Sequence, residues 1–302
     1  MKDPYLLHLF NPTKNVSPFD VNMAYEAEID AVIPYSEVAL DDIHALTQDT
    51  IFSRGPKGVK RTGIFIGGRE FGLAIDMLNS ARNAMVPPFE VSVFADPSGA
   101  ITTAAALMAS VEVWVKNKTG ESLEGKNIHV MGGTGPVGQC ALILAANCGA
   151  NVYMVSRRGV KVAEESSAEV NAHFGVNIKG GDSSSPENIL EFLQESHVVI
   201  GAAKAGMQIL SKEQMKQAPN LLVAADTNAV PPAGLEGVDV NDMGKELDFT
   251  PQKAVGLGAL AIGNIKYKVH FRMFEMMKNT QEPLYLDHQQ AFEVAREYAA
   301  TA

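Results

Sequence analysis

Short apolar runs alternate along this chain with longer stretches of helical period, and that alternation sets the first expectation about its fold. Tyr5–Phe10, Thr62–Ile66 and Val91–Ala95 read as strands. Ser17-Pro18 opens a helix, with proline where its missing N–H costs nothing, and Arg69–Ala84 and Thr102–Val115 are helix-patterned. Past the polar, glycine-containing Lys116–Lys126 the alternation resumes. Strands are expected at Asn127–Met131, Asn151–Val155, Val176–Ile178, His197–Ala202 and Leu221–Ala225, with helices over Val160–Phe174 and Pro186–Glu195. Gly237–Asp248 reads as an irregular segment and Gly256–Gly263 as a small, glycine-rich connection before helices Ile265–Asn279 and Asp287–Ala300. The pattern predicts an α/β protein of mostly parallel sheets in two domains, 119–263 and a discontinuous 1–118 with 264–302.

The segment from Lys126 to Arg158 carries the clearest chemistry. A strand runs into Gly133-Thr134-Gly135-Pro136-Val137-Gly138, then an alanine-rich helix, then a second strand. This is the strand–turn–helix–strand setting of a dinucleotide-binding Rossmann domain. Gly133 permits the tight turn, Gly135 admits a pyrophosphate to the backbone, and Gly138 lets helix and strand pack closely. The anion would rest on the helix N-terminus, where unpaired N–H groups and the dipole favour it. At the end of the second strand an NAD site would place a carboxylate; here stand Ser156, Arg157 and Arg158, forks suited to a 2′-phosphate. NADP is therefore the expected cofactor, with NAD a secondary acceptor because Ser156 can donate to a ribose hydroxyl. Ala202 and Ala203, and Asp226, end later strands and are placed to line the same cleft.

Composition narrows the class. The chain has 302 residues, 46% hydrophobic and 20% charged, as ordinary globular proteins do. A net charge of −10 argues against nucleic acid or an anionic membrane as a general partner. Its two cysteines, Cys140 and Cys148, make neither a disulfide framework nor a metal site. No cleavable leader and no uninterrupted apolar run of membrane-spanning length is evident, so a cytoplasmic protein is expected.

No nucleophile–base pair or metal-ligand cluster stands out, and the scattered histidines read as structural residues. An enzyme that only moves hydride needs none of these. Substrate-site candidates are polar groups near the ends of N-terminal strands: Asp20, which reads equally as a solvated first-turn carboxylate, and Asp96 and Ser98, which read equally as helix caps, with Thr102 and Thr103 beyond them. Lys266, Lys268 and His270 follow the glycine-rich connection.

Taken together, SPFDVNMAY, IFSRGP, TGIFIGG, FADPSGAITTAAA, VMGGTGPVG, VSRR, AADTNAVPP and GLGALAIGNIKYKVH resemble, in this order, the bacterial NADP-dependent methylene-tetrahydromethanopterin dehydrogenases, a family with members that also act on methylene-tetrahydrofolate. The resemblance spans essentially the whole chain. It implies an N-terminal domain for a reduced pterin, a Rossmann domain for NADP, an active site in the cleft between them, and a homo-oligomer. It also implies reversible hydride transfer from the methylene carbon to NADP⁺. Asp20 and Lys266 would then lie at the reacting centre, with Thr102 and Thr103 positioning the pterin. Two other readings stand beside it: a methylene-tetrahydrofolate dehydrogenase with cyclohydrolase activity, and a non-catalytic NADP(H) sensor.

Overall fold

The computed structural model describes residues 3–302. In chain order the elements are β1 (Leu6–Phe10), α1 (Pro18–Glu26), β2 (Ala31–Tyr35), α2 (Ile43–Phe52), α3 (Pro56–Val59), β3 (Thr62–Ile66), α4 (Phe71–Asn83), β4 (Ser92–Ala95) and α5 (Ala100–Thr119). Then come β5 (Asn127–Met131), α6 (Pro136–Asn147), β6 (Asn151–Ser156), α7 (Val160–Phe174), β7 (Ile178–Asp182), α8 (Pro186–Glu195), β8 (Val198–Gly201), α9 (Lys212–Met215) and β9 (Val223–Asp226). The chain closes with β10 (Met243–Glu246), β11 (Val255–Leu257), α10 (Ala259–Asn279), β12 (Tyr285–Leu286) and α11 (His288–Ala299). Two compact units result: Met1–Thr102 with Tyr267–Val294, and Thr103–Lys266 with Ala295–Ala302. The three divisions fall inside α5, α10 and α11.

The first unit is built on a five-stranded parallel sheet of order β12-β4-β3-β1-β2. All five residues of β3 are buried, as a strand covered on both faces requires. β2 escapes the sequence pattern because Pro34 interrupts it, and the edge position tolerates that missing donor. Phe65, Phe94 and Phe274 pack with ring centroids 5.2–5.5 Å apart. Such edge-on and tilted contacts add to the burial of three large rings.

The second unit holds seven strands in the order β10-β11-β9-β8-β5-β6-β7, all parallel except β10. Its core includes Met131, Val155, Val199, Leu210, Ala224 and Leu235. Three local expectations are corrected here. Gly237–Asp248 contains β10, which pairs antiparallel with β11 across an irregularity between Met243 and Lys245. Gly244 (φ 89°) occupies that irregularity because Trp114 stands where a Cβ would go, 1.8 Å from its ring. Gly256–Gly263 is no loose connection: it holds part of β11 and the start of α10, and a Cβ on Gly258 would fall 2.0 Å from the Asp239 carbonyl. β7 lies later than Val176–Ile178, because a Cβ on Gly180 would meet Glu164 Cγ at 2.6 Å and the glycines let α7 approach.

Pro97–Thr119 is long and apolar enough to cross a membrane, and 72% of its apolar window is buried inside the protein, which accounts for its composition.

A stack of rings on β5 and its neighbours gives this fold a pH dependence. His129 lies flat between Tyr153 (4.4 Å) and Phe192 (5.0 Å), with its Nδ1 2.9 Å from Ser196 Oγ. Burial, with His197 adding, pulls its pKa from 6.5 down to about 3. The unfolded chain therefore binds a proton between these values that the folded one does not, so stability falls as pH drops below 6.5. Moving from about pH 8 to about pH 5 should cost about 2 kcal/mol through this group alone. Urea unfolding at the two pH values measures it. H129F, which keeps the stack, should lose that share; an unchanged pH dependence would contradict the assignment.

Candidate functional site

The second sheet reverses its winding at β5: the chain proceeds to β6 and β7 on one side, then returns to β8 and β9 on the other. Ligands of open α/β sheets sit in the crevice at such a switch point, beyond the carboxyl ends of the strands. Here that crevice lies between the turn after β5 and the loop after β8. Gly132 has φ 83°, and a Cβ on it would fall 2.5 Å from the Ala202 carbonyl oxygen. So it is Gly132, and not Gly133 as the sequence suggested, that makes the tight turn; a Cβ on Gly133 would meet Met154 and Leu142 side chains at 2.8 and 3.0 Å. A Cβ on Gly138 would lie 2.6 Å from the Gly132 carbonyl, so its absence lets α6 close on the turn. Gly135 is different, since a Cβ there would meet only the Gly132 carbonyl, at 3.4 Å.

Gly135 caps α6 without any side-chain bond, and Pro136 at the first helical position has no N–H to leave unpaired. The N–H groups of Val137 and Gly138 are thus offered to an anion, with Thr134 exposed beside them. A cradle kept open at Gly135 above an uncapped helix fits a dinucleotide pyrophosphate. At the end of β6, Ser156 is buried and its Oγ accepts from the Arg158 N–H (3.1 Å). Arg157 and Arg158 are exposed, and the Arg157 guanidinium lies 3.4 Å from Met207 Sδ. Among the described residues neither arginine is ion-paired with a carboxylate.

Ala202 and Ala203 are half-buried, flanking the turn at Gly132. Asp226 is buried and its oxygens are taken: Oδ1 accepts from the Asn228 N–H (3.0 Å) and Oδ2 from the Leu235 N–H (3.0 Å). Burial raises its carboxyl above the usual range, while backbone N–H groups of Leu235, Asn228 and Gly234 pull it back. This aspartate shapes a loop.

In the first unit β1, β3 and β4 end level, with Phe10 paired to Ile66 and Ile66 to Ala95. The next residues, Asn11, Gly67 and Asp96, therefore form a row along one edge. The Gly67 N–H donates to the Phe10 carbonyl (3.0 Å) and the Asp96 N–H to the Ile66 carbonyl (3.1 Å). Asp20, in the first turn of α1, is buried above this row; a Cβ on Gly67 would stand 3.5 Å from its Oδ2 and 3.4 Å from Asn11 Oδ1. A solvated first-turn carboxylate, the alternative in the sequence, does not describe it.

Asp96 has no exposed surface. Its Oδ1 accepts from the N–H groups of Ile101 (2.8 Å) and Thr102 (3.1 Å), and its Oδ2 from Thr102 Oγ1 (2.6 Å). The same Oδ2 stands 2.8 Å from Nδ1 of His270, also fully buried, whose ring is surrounded by Phe19, Phe65, Phe94 and Phe274. Asp96, grouped in the sequence with Thr102 and His270 among substrate contacts, instead holds the Thr102 hydroxyl and the His270 Nδ1 on one oxygen and so ties α5 and α10 to the end of β4. Ser98 is exposed at the tip of the loop they hold, with φ 54°, and its Oγ donates to the Gly68 carbonyl (2.7 Å). Thr103 is half-buried on α5. On α10, Lys266 lies one turn before His270 on the same face and is half-buried, while Lys268 projects from the exposed face.

Sequence reasoning missed Gly132, Gly67, Gly68 and Asn11. The doubled glycines at 67–68 and 132–133, each directly after a buried strand, were the available signal; a Cβ on Gly68 (φ 101°) would collide with Pro12 at 2.7 Å. Nothing in the sequence marked Asn11, whose role depends on strands β1 and β3 ending level.

Known proteins match this chain along nearly its whole length. A family model described as methylene-tetrahydromethanopterin dehydrogenase, N-terminal, matches residues 18–98. The NAD(P)-dependent methylenetetrahydromethanopterin dehydrogenase of Methylorubrum extorquens is 44% identical, over 97% of this chain and 98% of that one. The Bifunctional protein MdtA of the same organism is 32% identical over 97% and 99%. Among solved structures, shikimate 5-dehydrogenase from Listeria monocytogenes superposes with a TM-score of 0.51 at 14% identity, covering 97% of each chain, a likeness of fold alone.

The glycines separate folding from binding. G132A and G138A should each cost about 3 kcal/mol in urea unfolding, from positive φ or backbone collision. G135A should stay within about 0.5 kcal/mol of the parent, yet weaken dinucleotide binding about tenfold by crowding the cradle. Unimpaired binding by G135A would contradict the placement of the pyrophosphate.

Proposed function

Because this chain belongs to the methylenetetrahydromethanopterin dehydrogenase family, we propose that it transfers hydride reversibly between methylene-tetrahydromethanopterin and NADP⁺, giving methenyl-tetrahydromethanopterin and NADPH. The observation that carries this reading is the pairing of 44% identity over 97% of the chain with a glycine cradle at the switch point of its second sheet. NADP⁺, when bound, supplies a two-electron acceptor. Val137 and Gly138 N–H groups would receive its pyrophosphate, and Arg157 and Arg158 its 2′-phosphate.

The substrate's methylene carbon sits between two nitrogens. As its C–H bond breaks with the electron pair, the nitrogen lone pairs fill the emptied orbital and the product is an amidinium-like cation. No proton is taken or given, so the step calls for no nucleophile–base pair. What the chain supplies is orientation, exclusion of water and electrostatic complementarity to the growing positive charge. Asp20 provides a buried carboxylate at the edge of the first sheet for that charge. Lys266 is assigned to hydrogen bonding with the pterin. The Asp96–Thr102–His270 network acts through others: it holds the loop bearing Ser98 and the helix bearing Lys266.

Initial rates of NADPH formation, with methylene-tetrahydromethanopterin or methylene-tetrahydrofolate and with NADP⁺ or NAD⁺, test this. The expected kcat/KM is highest for the methanopterin substrate with NADP⁺. The R157A/R158A double variant should lose about 100-fold with NADP⁺ and change no more than about threefold with NAD⁺. Absence of turnover with every pair would overturn the proposal.

A further inference from the structure

One of the two arginines that the proposed function gives to the 2′-phosphate rests on a methionine from another loop. Arg157 is exposed just beyond β6, and its guanidinium donates from Nη1 to Met207 Sδ at 3.4 Å. Met207 is half-buried, and the backbone is pinned on either side of it. Before it, the Gly206 N–H donates to Asn228 Oδ1 (3.1 Å). Asn228 is buried, and its Oδ1 also accepts from the Val230 N–H (2.9 Å) while its Nδ2 donates to the Pro232 carbonyl (2.8 Å). After it, the N–H groups of Ile209 (2.7 Å) and Leu210 (3.1 Å) both donate to the Gly234 carbonyl. A long, rotamer-rich side chain thus lies against one whose backbone is fixed.

We infer that Met207 is a positioning residue for Arg157, and through it a determinant of the preference for NADP over NAD. This rests on the reading of Arg157 as a ligand of the 2′-phosphate. Confining an arginine when its ligand arrives costs affinity, and a partner that confines it beforehand removes part of that cost. The chemistry of the partner matters. A carboxylate would orient the guanidinium by neutralising it and would repel the incoming phosphate. A thioether is a weak, polarisable acceptor, so it orients the fork yet leaves the charge and the remaining N–H donors for the anion. Truncating Met207 to alanine removes the sulfur and keeps the backbone bonds of Gly206, Ile209 and Leu210, so the loop itself stays in place. The effect is therefore confined to ligands that carry the 2′-phosphate.

The test compares NADPH with NADH, which differ only in the 2′-phosphate, by isothermal titration of the full-length parent, M207A, R157A and the double variant. M207A should weaken NADPH about fivefold and leave NADH within about 1.5-fold. In the R157A background, where Arg158 keeps NADPH binding measurable, the same truncation should change NADPH by less than about 1.5-fold, because the residue it acts through is gone. M207L keeps the bulk without the sulfur acceptor and should cost NADPH about threefold; if M207A does not fold, M207L alone and with R157A decides. An equal loss of NADPH and NADH, the same loss with and without Arg157, or no loss of NADPH would overturn the role of Met207. A parent that binds NADPH no better than NADH, or an R157A variant with NADPH affinity unchanged, would instead contradict the reading of Arg157 beneath it.

Discussion

Every strand of the first sheet, and all but β10 of the second, runs parallel to its neighbours, and parallel pairing dictates where a chain can put its polar groups. Each strand must be re-entered from the same end, so every outgoing loop gathers at one edge of its sheet. In the first unit that edge collects Asn11, Gly67 and Asp96; in the second, Gly132, Ser156, Ala202 and Thr227. These residues lie far apart in the chain and become neighbours only because Phe10, Ile66 and Ala95, or Met131, Val155 and Gly201, are held in register. The chemistry of the protein follows from those two rows.

The rows differ in how they are made firm. In the second unit the backbone itself does the work. Turn and helix approach so closely at Gly132 and Gly138 that no side chain fits, and the first N–H groups of α6 have no side-chain cap. In the first unit buried side chains do it. Asp96 gathers two N–H groups, a hydroxyl and an imidazole with no surface exposed, so a carboxylate that would be costly to bury alone becomes the anchor for two helices. One arrangement suits a phosphate, which is read by backbone; the other leaves Ser98 exposed on a fixed frame, with Asp20 buried beside it.

Much of this was legible from residue pattern alone. Thr62–Ile66, Asn127–Met131, Val160–Phe174 and Pro186–Glu195 are found at the expected limits, because buried strands and capped helices carry strong local signals. The GTGPVG run also read directly as a glycine turn running into a helix, although the tight turn itself falls one residue earlier, at Gly132. Strands β2, β7 and β10 did not, since Pro34, Gly180-Gly181 and Gly244 serve tertiary contacts that no local pattern reveals. The roles of Asp96 and His270 were hidden for a related reason: residues 174 apart in sequence meet at 2.8 Å, and only that meeting turns substrate candidates into a buried support.

In the proposed reaction hydride passes directly from substrate carbon to NADP⁺, in a site that contributes position and charge but no acid or base. The most direct measurement uses methylene-tetrahydromethanopterin carrying deuterium at the methylene group, with the NADPH isolated and analysed by mass spectrometry and NMR. Direct transfer puts one deuterium at C4 of the nicotinamide, on a single face, and none from deuterated solvent when the substrate is unlabelled. Label lost to water, or solvent deuterium appearing at C4, would contradict it.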